Sequence, residues 1–335
     1  MRFAMSTAAA LVAIGLIAVC SAGEQPPSLG EPEIILTARW GSGPGELGKK
    51  DGSEGASLGP MSFAFGPDGT IYVLDQVNGR VAVFRPVAGG GVSEPPGGPG
   101  NAPFLFDRFI SLPGTTFEEI EVGADGRILL LDRLVREALV IFDPRTRETE
   151  ELSVLGAGIP EGGGVMAVLV REDGVWLDYG RVHSVRVLDP RWNPCERKIV
   201  LGRPMRGAEG TVEVSLGVGG GADVRYERKG DGPLSVFVQD DVPIGRLIEL
   251  ADGPGGAVLL VYHCWRWAED GDRIERQEVR GRWFSPDGKP TVAFSSPYTL
   301  TEWEQFREFR LLPDGSVVQM AFTPDGVKLL KWRGP

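Results

Sequence analysis

The chain has only two histidines and three cysteines among 335 residues, so few side chains are available for metal or nucleophile chemistry. His183 and His263 stand 80 positions apart, outside any H-x-E or H-E-x-x-H motif, the spacings that place histidines at one metal. Three cysteines cannot build a four-thiolate zinc site or a disulfide scaffold. No Walker motif occurs. The sequence therefore predicts no metal, no cofactor and no catalytic residue of a common type.

One short stretch in the second half of the chain could form a surface for a ligand. His263, Trp265 and Trp267 alternate with Cys264 and Arg266. On a β-strand, a period of two places the first three side chains on one face. Two indoles and an imidazole could stack on a sugar or hold another ligand, so these three are the candidate ligand-binding residues. The same rings could instead fill the widening gap between two packed sheets.

Acidic residues outnumber basic ones by 46 to 35, which gives a net charge of −11. Phosphate neutralisation needs clustered Lys and Arg, so we expect no nucleic-acid partner. The carboxylates singled out from the sequence are Asp107, Glu118, Glu119, Glu121, Asp240, Asp241, Glu302 and Glu304. In a cleft, such groups could work as a pair of acids or hold calcium, although no D-x-D-x-D-G loop occurs. A solvated acidic surface explains them as well.

The N-terminus has the pattern of an export signal. Ala8 to Val19 is an uncharged apolar run, and its 12 residues are too few for a bilayer span, which needs about 20. We predict a signal peptide over 1–22 and a flexible tether over 23–32. Ile17 to Cys20 resembles the bacterial lipoprotein box, which would make Cys20 a lipidation site and the only membrane anchor. Cleavage after residue 22 would instead give a soluble secreted chain, and an uncleaved anchor is the third outcome.

Three stretches of the chain repeat one pattern, over residues 61–86, 117–144 and 165–190. Each has an apolar strand, an Asp-Gly turn, a second apolar strand, a polar turn and a third strand. Glycine accepts the positive φ that closes such a hairpin. A fourth strand follows each unit. Four antiparallel strands at this spacing are typical of one blade of a β-propeller.

Three weaker units, starting at 212, 246 and 309, predict three more blades, and the boundaries between 205 and 245 are the least defined. The last unit has only three strands and ends with Val327 to Trp332. Glu33 to Trp40 belongs to no blade, so we place it outermost in the sixth, which closes the ring and removes exposed edges. The predicted fold is an all-β, six-bladed β-propeller with four-stranded antiparallel blades over 33–335. A pair of β-sandwiches is the alternative.

The first unit resembles the NHL-repeat family. Residues 40–47 read WGSGPGEL, residues 63–84 read FAFGPDGTIYVLDQVNGRVAVF, and the residues at the family's marked positions are Asp75, Asn78, Arg80 and Phe84. The resemblance implies a six-bladed propeller of an exported or lipoprotein type, in a family that includes interaction scaffolds and lyases. From the residues alone, Asp75 can accept backbone N–H groups in the turn and pair with Arg80.

The glycine count of 48 and the proline count of 26 fit a ring of hairpin turns. The scarcity of histidine and cysteine removes most metal and nucleophile chemistry and leaves binding as the favoured function. We expect a monomeric periplasmic or outer-membrane protein, or a secreted one, whose propeller face binds a protein, peptide or envelope glycan. The alternative is a lyase or hydrolase with an acidic, possibly calcium-assisted site at the central channel. A purely structural envelope role is the third. Three or more charged side chains converging at the channel mouth would favour the enzyme.

Overall fold

The computed structural model describes residues 16–19, 26–52, 56–87, 103–206, 210–217, 219–228, 233–298 and 303–334. These residues fold into six four-stranded antiparallel blades arranged in a ring, which confirms the predicted propeller. The segment predicted as a signal peptide, 1–22, lies outside the described residues except for Leu16–Val19. Cys20 also lies outside them. No helix in the described ranges has the length and apolar character to cross a bilayer.

The first three blades follow the three strong sequence units. From the channel outward, the strands of blade 1 are Ser62–Phe65, Ile71–Asp75, Arg80–Pro86 and Phe104–Ser111. Those of blade 2 are Glu119–Val122, Ile128–Asp132, Ala138–Phe142 and Thr149–Ser153. Those of blade 3 are Val165–Arg171, Gly174–Tyr179, His183–Leu188 and Pro194–Leu201.

The second half of the ring is less regular. Blade 4 consists of Arg203–Pro204, Gly210–Leu216, Ala222–Arg228 and Leu234–Val238. Blade 5 consists of Ile244–Asp252, Val258–Trp267, Ile274–Phe284 and Pro290–Ser295. Blade 6 consists of Phe309–Leu311, Val317–Thr323, Gly326–Trp332 and Glu33–Arg39.

A few short elements lie outside the blades. Ser57–Leu58 pairs in parallel with Trp303–Glu304, and Leu16–Val19 pairs in parallel with Leu234–Val238. The single-turn 3-10 helices are Gln76–Asn78, Gly162–Gly164 and Pro254–Gly256. Within the range predicted as a tether, the backbone N–H of Leu29 donates to the carbonyl of Ala293 at 2.8 Å, on the outer strand of blade 5.

Blade 4 begins earlier than its apolar pattern indicates. The repeat unit was expected to start at 212, whereas the structure adds the two-residue inner strand Arg203–Pro204, which pairs with Val212 and Thr211. This strand has no apolar run, because Arg203 lies in the channel and is bonded to carboxylates there. A charged side chain at a buried inner position cannot be recognised from hydrophobic periodicity.

The strands of each blade are covered on both faces. In blade 2, all residues of Ile128–Asp132 and Ala138–Phe142 are buried, as their continuous apolar character predicts. Aromatic rings fill the gap between blades 5 and 6, where Phe294 lies 4.5 Å from Trp332 and 5.7 Å from Trp283, measured between ring centroids. The core therefore lies between neighbouring blades rather than at the ring axis.

The marked residues of the first unit tie the N-terminal loop to blade 1. The Asp75 carboxylate accepts hydrogen bonds from the Gly48 backbone, the Asn78 amide and Arg80 Nε, each at 2.8 Å. A Cβ at Gly48 would lie 2.7 Å from the Asp75 carboxylate, so the close approach requires glycine. This geometry confirms the pairing of Arg80 with Asp75 and gives the motif a structural role.

Cys195 and Cys264 are both free cysteines in the described part of the chain. They lie in blades 3 and 5, which are not neighbours in the ring. Burial raises the pKa of the Cys264 thiol to about 12, so it remains protonated and unreactive at neutral pH.

The first strand closes the ring as the sequence predicts. Glu33–Arg39 pairs antiparallel with Gly326–Trp332. Leu36 is buried in the packing between blades 6 and 1, whereas Ile34 of the same strand is 46% exposed. The two positions therefore form a matched pair for testing closure.

We expect Leu36→Ala to lower the free energy of unfolding by about 2–5 kcal/mol, because it leaves a cavity in the core at the closure strand. Ile34→Ala should cost less than about 1 kcal/mol, since its side chain is half in solvent. Urea denaturation followed by far-UV circular dichroism measures both. Equal losses for the two variants would contradict the placement of this strand.

Candidate functional site

Charged side chains converge where the channel opens at one face of the ring. The inner strands all begin at this face, and the turns between second and third strands lie there too. We call the cavity at this opening the mouth, and its volume is about 120 Å³. Its arginines are Arg133, Arg181, Arg203, Arg246 and Arg307. Its carboxylates are Glu249, Glu304 and Glu308.

Below the mouth, a buried network of ion pairs fills the channel, and we call it the channel network. Arg307 Nε donates to Glu119 Oε1 at 2.6 Å, and Arg307 Nη1 donates to Glu249 Oε2 at 2.6 Å. Arg203 Nη1 donates to the other oxygen of Glu249 at 2.9 Å, and its Nε donates to Asp178 Oδ2 at 2.8 Å. These residues are at most 7% exposed, so their charges depend on one another instead of on water.

The channel network shifts its two glutamates in opposite directions. Burial raises the pKa of Glu119, although Arg307 and Arg310 oppose it. Burial also acts to raise the pKa of Glu249, but Arg307 and Arg203 outweigh it, and the result is a lowered pKa. The difference follows from geometry, because both oxygens of Glu249 accept from guanidinium groups while one oxygen of Glu119 accepts from the Val168 backbone.

Two arginines of the mouth have no carboxylate partner among the described residues. Arg181 has a left-handed φ of 60° and donates from Nη2 to the carbonyls of Leu247 and Ile248, at 3.0 and 3.2 Å. Its buried Nε has no hydrogen-bond partner in the described part of the chain. Arg246 is exposed, and it forms no hydrogen bond or ion pair with any described residue. Both arginines line the mouth, and the two carbonyls that Arg181 contacts belong to the residues that directly follow Arg246 in the inner strand of blade 5.

Glu308 is the carboxylate of the mouth whose pKa burial shifts most clearly toward neutral pH. Burial raises its pKa to about 7. Gln319 Nε2 donates to Glu308 Oε1 at 2.8 Å, and Gln319 Oε1 lies 2.6 Å from the Ser296 hydroxyl, which fixes the orientation of the amide. Arg246 counteracts the shift of Glu308. A carboxyl group that titrates near neutral pH therefore lies beside unpaired positive charge.

Of the three predicted ligand-binding residues, His263 and Trp265 are in ring contact on a blade 5 strand, and a β-bulge between Arg266 and Trp267 interrupts the alternation before the third; none of them is in the lining of the mouth. His263 is buried, Trp265 is half-buried and Trp267 is 54% exposed. The His263 and Trp265 rings are 4.9 Å apart between centroids. Burial lowers the pKa of His263, and Arg246, its partner in the strand register, lowers it further. His263 Nε2 has no hydrogen-bond partner among the described residues, and ligand binding by this group stays a prediction.

Trp265 can lie flat over the inner strand because Gly245 has no side chain. A Cβ at Gly245 would come within 2.1 Å of the Trp265 ring. The tryptophan thus packs against the start of the inner strand of blade 5, directly beside Arg246. This contact places the Trp265 ring at the edge of the mouth.

Sequence reasoning missed Arg181, Arg246 and Glu308, and it interpreted Glu119 as a surface acid although it is fully buried. A signal was available, because Glu119, Arg246 and Glu308 all stand within the first residues of an inner strand or just before one. Charged residues at such positions face the channel. Among the described residues, no group of three or more His, Cys, Asp or Glu is placed to hold a metal ion.

No family model matches the chain, and no curated protein is found to match it. Solved structures with a similar fold include a streptogramin B lyase, 11% identical with a TM-score of 0.39, covering 84% of this chain and 95% of that chain. A catalytically inactive virginiamycin B lyase from Staphylococcus aureus with quinupristin is 11% identical with a TM-score of 0.42, covering 85% and 88%. The selenomethionine-substituted form of that lyase is 10% identical with a TM-score of 0.40, covering 82% and 95%. These similarities concern the fold alone.

We expect Arg307→Met to destabilise the protein by about 3–5 kcal/mol at pH 7, because it leaves Glu119 and Glu249 buried without this cation. The loss should shrink as the pH falls, since both carboxylates then bind protons in the variant and become neutral. Urea denaturation at pH 7 and pH 5 measures the difference from the unmodified protein.

The matched control for this experiment is Arg145→Met. Arg145 pairs with Asp143 at 2.9 Å, but its side chain is 70% exposed. Water and salt screen such a pair, so the control should leave the free energy of unfolding nearly unchanged at both pH values. A loss for Arg307→Met no larger than that of the control would show that the channel network does not hold the blades together.

Proposed function

We propose that this chain is an exported binding protein whose mouth holds an anionic group of a protein, peptide or envelope glycan. The observation that carries this proposal is the pair Arg181 and Arg246, two arginines without a carboxylate partner among the described residues of the mouth. The other three arginines of the mouth are already paired with Glu118, Asp178, Glu119 or Glu249.

The side chains of the mouth are suited to bind an oxyanion rather than a cation as the ligand. A guanidinium group presents several N–H donors in a plane, and charge-assisted bonds to a carboxylate are stronger than neutral ones. The cavity of about 120 Å³ admits a group the size of a carboxylate with a short stem. Glu304 is exposed and Glu308 titrates near pH 7, so the mouth is most positive when Glu308 is protonated.

The proposed location is the cell envelope. It rests on the signal peptide expected over 1–22, with Cys20 as the lipidation site of a periplasmic or outer-membrane lipoprotein, or with cleavage that gives a secreted chain. The intact mass of the mature protein distinguishes the two, because a diacyl group on Cys20 and a free N-terminus at Gly23 differ in mass.

We expect Arg246→Met to weaken the binding of a single carboxylate by about tenfold or more, because it removes a charge-assisted hydrogen-bond donor. The probe is N-acetylglutamate with its C-terminus amidated, and the glutamine analogue is the uncharged comparison. Ligand-observed NMR titration measures both. Arg266→Met is the matched control, since Arg266 is an exposed arginine of the same blade that donates to the Asp241 carbonyl away from the mouth.

The same titration has a defined pH dependence. Glu308 is neutral below its pKa of about 7 and charged above it, so the carboxylate probe should bind more tightly at pH 6 than at pH 8. Glu308→Gln should remove this difference. Equal binding of the glutamate and glutamine probes by the unmodified protein would refute the anion site.

A hydrolase or lyase is the second candidate. The feature that favours it is the convergence of charged side chains at the mouth, together with Glu308, whose pKa of about 7 suits general acid–base catalysis at neutral pH. Calcium assistance has less support, because the carboxylates of the channel network are bound to arginines.

If the enzyme proposal holds, turnover found in a screen of acidic esters and uronate glycans should be lost in Glu308→Gln, by about a hundredfold or more. Glu304→Gln should keep it, since Glu304 is a mouth carboxylate that is exposed to solvent. Turnover that survives in Glu308→Gln would exclude Glu308 as the acid/base group.

A further inference from the structure

We infer that the mouth takes an internal acidic side chain of an extended peptide segment, with apolar residues of that segment on both sides of the acid. This inference rests on the proposed function, because the acid is held by Arg181 and Arg246. What it adds is the apolar surface around the mouth, which selects the residues that flank the acid.

On one side of the mouth, the turns of blades 2 and 3 combine an arginine with exposed apolar residues. Arg133 lines the mouth, and Leu134 and Val135 follow it in the same turn, 60% and 69% exposed. Arg181 lines the mouth, and Val182 follows it, 62% exposed. In both turns the guanidinium group lies inside the mouth while its neighbour in sequence presents an apolar side chain to solvent.

On the opposite side, the long hairpin of blade 5 rises above the ring. The inner strand of this blade begins at Ile244, opposite Cys264, so Trp267 pairs only with Ile274 of the third strand. The Trp265 N–H still donates to the Pro243 carbonyl, so two residues of strand extend beyond this point, which corresponds to a height of about 7 Å. Trp267 and Ile274 are 54% and 41% exposed. Blades 2 and 5 face each other across a six-bladed ring, so apolar side chains border the mouth on two opposite sides.

This arrangement favours an internal acid over the other carboxylate sources. A C-terminal carboxylate has chain on one side only and would leave one apolar border without a contact. The alkyl chain of a fatty acid would need a continuous apolar groove, whereas here the apolar residues are separated by the charged mouth. A peptide that crosses the mouth contacts both borders with alternate side chains and places its acid between the arginines.

The test uses four fluorescein-labelled peptides bound to the full mature chain, with fluorescence anisotropy as the readout, and the first three are capped at both ends. The first peptide has one glutamate between two leucines on each side. The second replaces glutamate with glutamine, and the third replaces the leucines with serines. The fourth keeps the leucines but lacks the glutamate and has a free C-terminal carboxylate. We expect the first peptide to bind at least about tenfold more tightly than each of the others.

Variants of the protein assign the contacts. Val135→Ser and Trp267→Ser should each weaken the first peptide about threefold to tenfold and leave the third peptide unchanged. Arg246→Met should weaken both peptides. Leu105→Ser is the matched control, since Leu105 is 61% exposed on the outer strand of blade 1, and it should change neither. All four substitutions are at exposed positions, and thermal denaturation checks that each variant is folded.

The outcomes separate this inference from the proposed function. If the first and third peptides bind equally while glutamine abolishes binding, the anion site stands and the apolar borders play no part. If the fourth peptide binds more tightly than the first, the occupant is a C-terminus and the inference is wrong. If replacing glutamate with glutamine has no effect on affinity, the proposed function itself fails.

Discussion

The pairing of guanidinium and carboxylate groups across the central channel is the constraint on which the ring depends. Glu119, Asp178, Arg203, Glu249 and Arg307 come from blades 2 to 5 and the entry to blade 6, and nearly all of their surface is buried. Arg310 extends the contacts to blade 1 through the Phe63 carbonyl. Buried ion pairs contribute little net stability relative to apolar packing, but an unpaired member is costly. The network therefore fixes the relative positions of the blades more than it strengthens the fold.

This constraint determines what remains for function. The pairs in the channel use Arg203 and Arg307, and Arg133 is held by Glu118 at 3.0 Å, so three of the five mouth arginines are already neutralised. Arg181 and Arg246 are then the groups whose charge is available to a ligand. Glu308 lies beside them, and burial raises the pKa of its carboxyl group to about 7. The positive charge at the mouth is left over because the carboxylates of the channel beneath it are already paired with Arg203 and Arg307.

The hairpins and the closure of the ring could be predicted from the sequence, because they depend on local chemistry. An Asp-Gly turn acts over four residues, and the missing strand of blade 6 could be deduced from the unpaired apolar run at Glu33–Arg39. The channel network could not be predicted. Arg307 bonds to Glu119 across 188 positions of sequence and to Glu249 across 58. Such partners come into contact only when the whole ring has closed, and no periodicity in the sequence indicates which residues will pair. The short inner strand at Arg203 was missed for the same reason.

The tryptophans show how the fold divides its aromatic residues between packing and surface. Three tryptophans are almost fully buried and fill space between sheets: Trp176, Trp283 and Trp332. Trp267 is different, because it stands on a hairpin extension that pairs with no inner strand and covers no core. Ordering such an extension costs conformational entropy, which the burial of a half-exposed indole offsets only in part. Along this strand, His263 and Trp265 pack against each other and against the inner strand, whereas Trp267 extends past the start of the inner strand with about half of its surface in solvent.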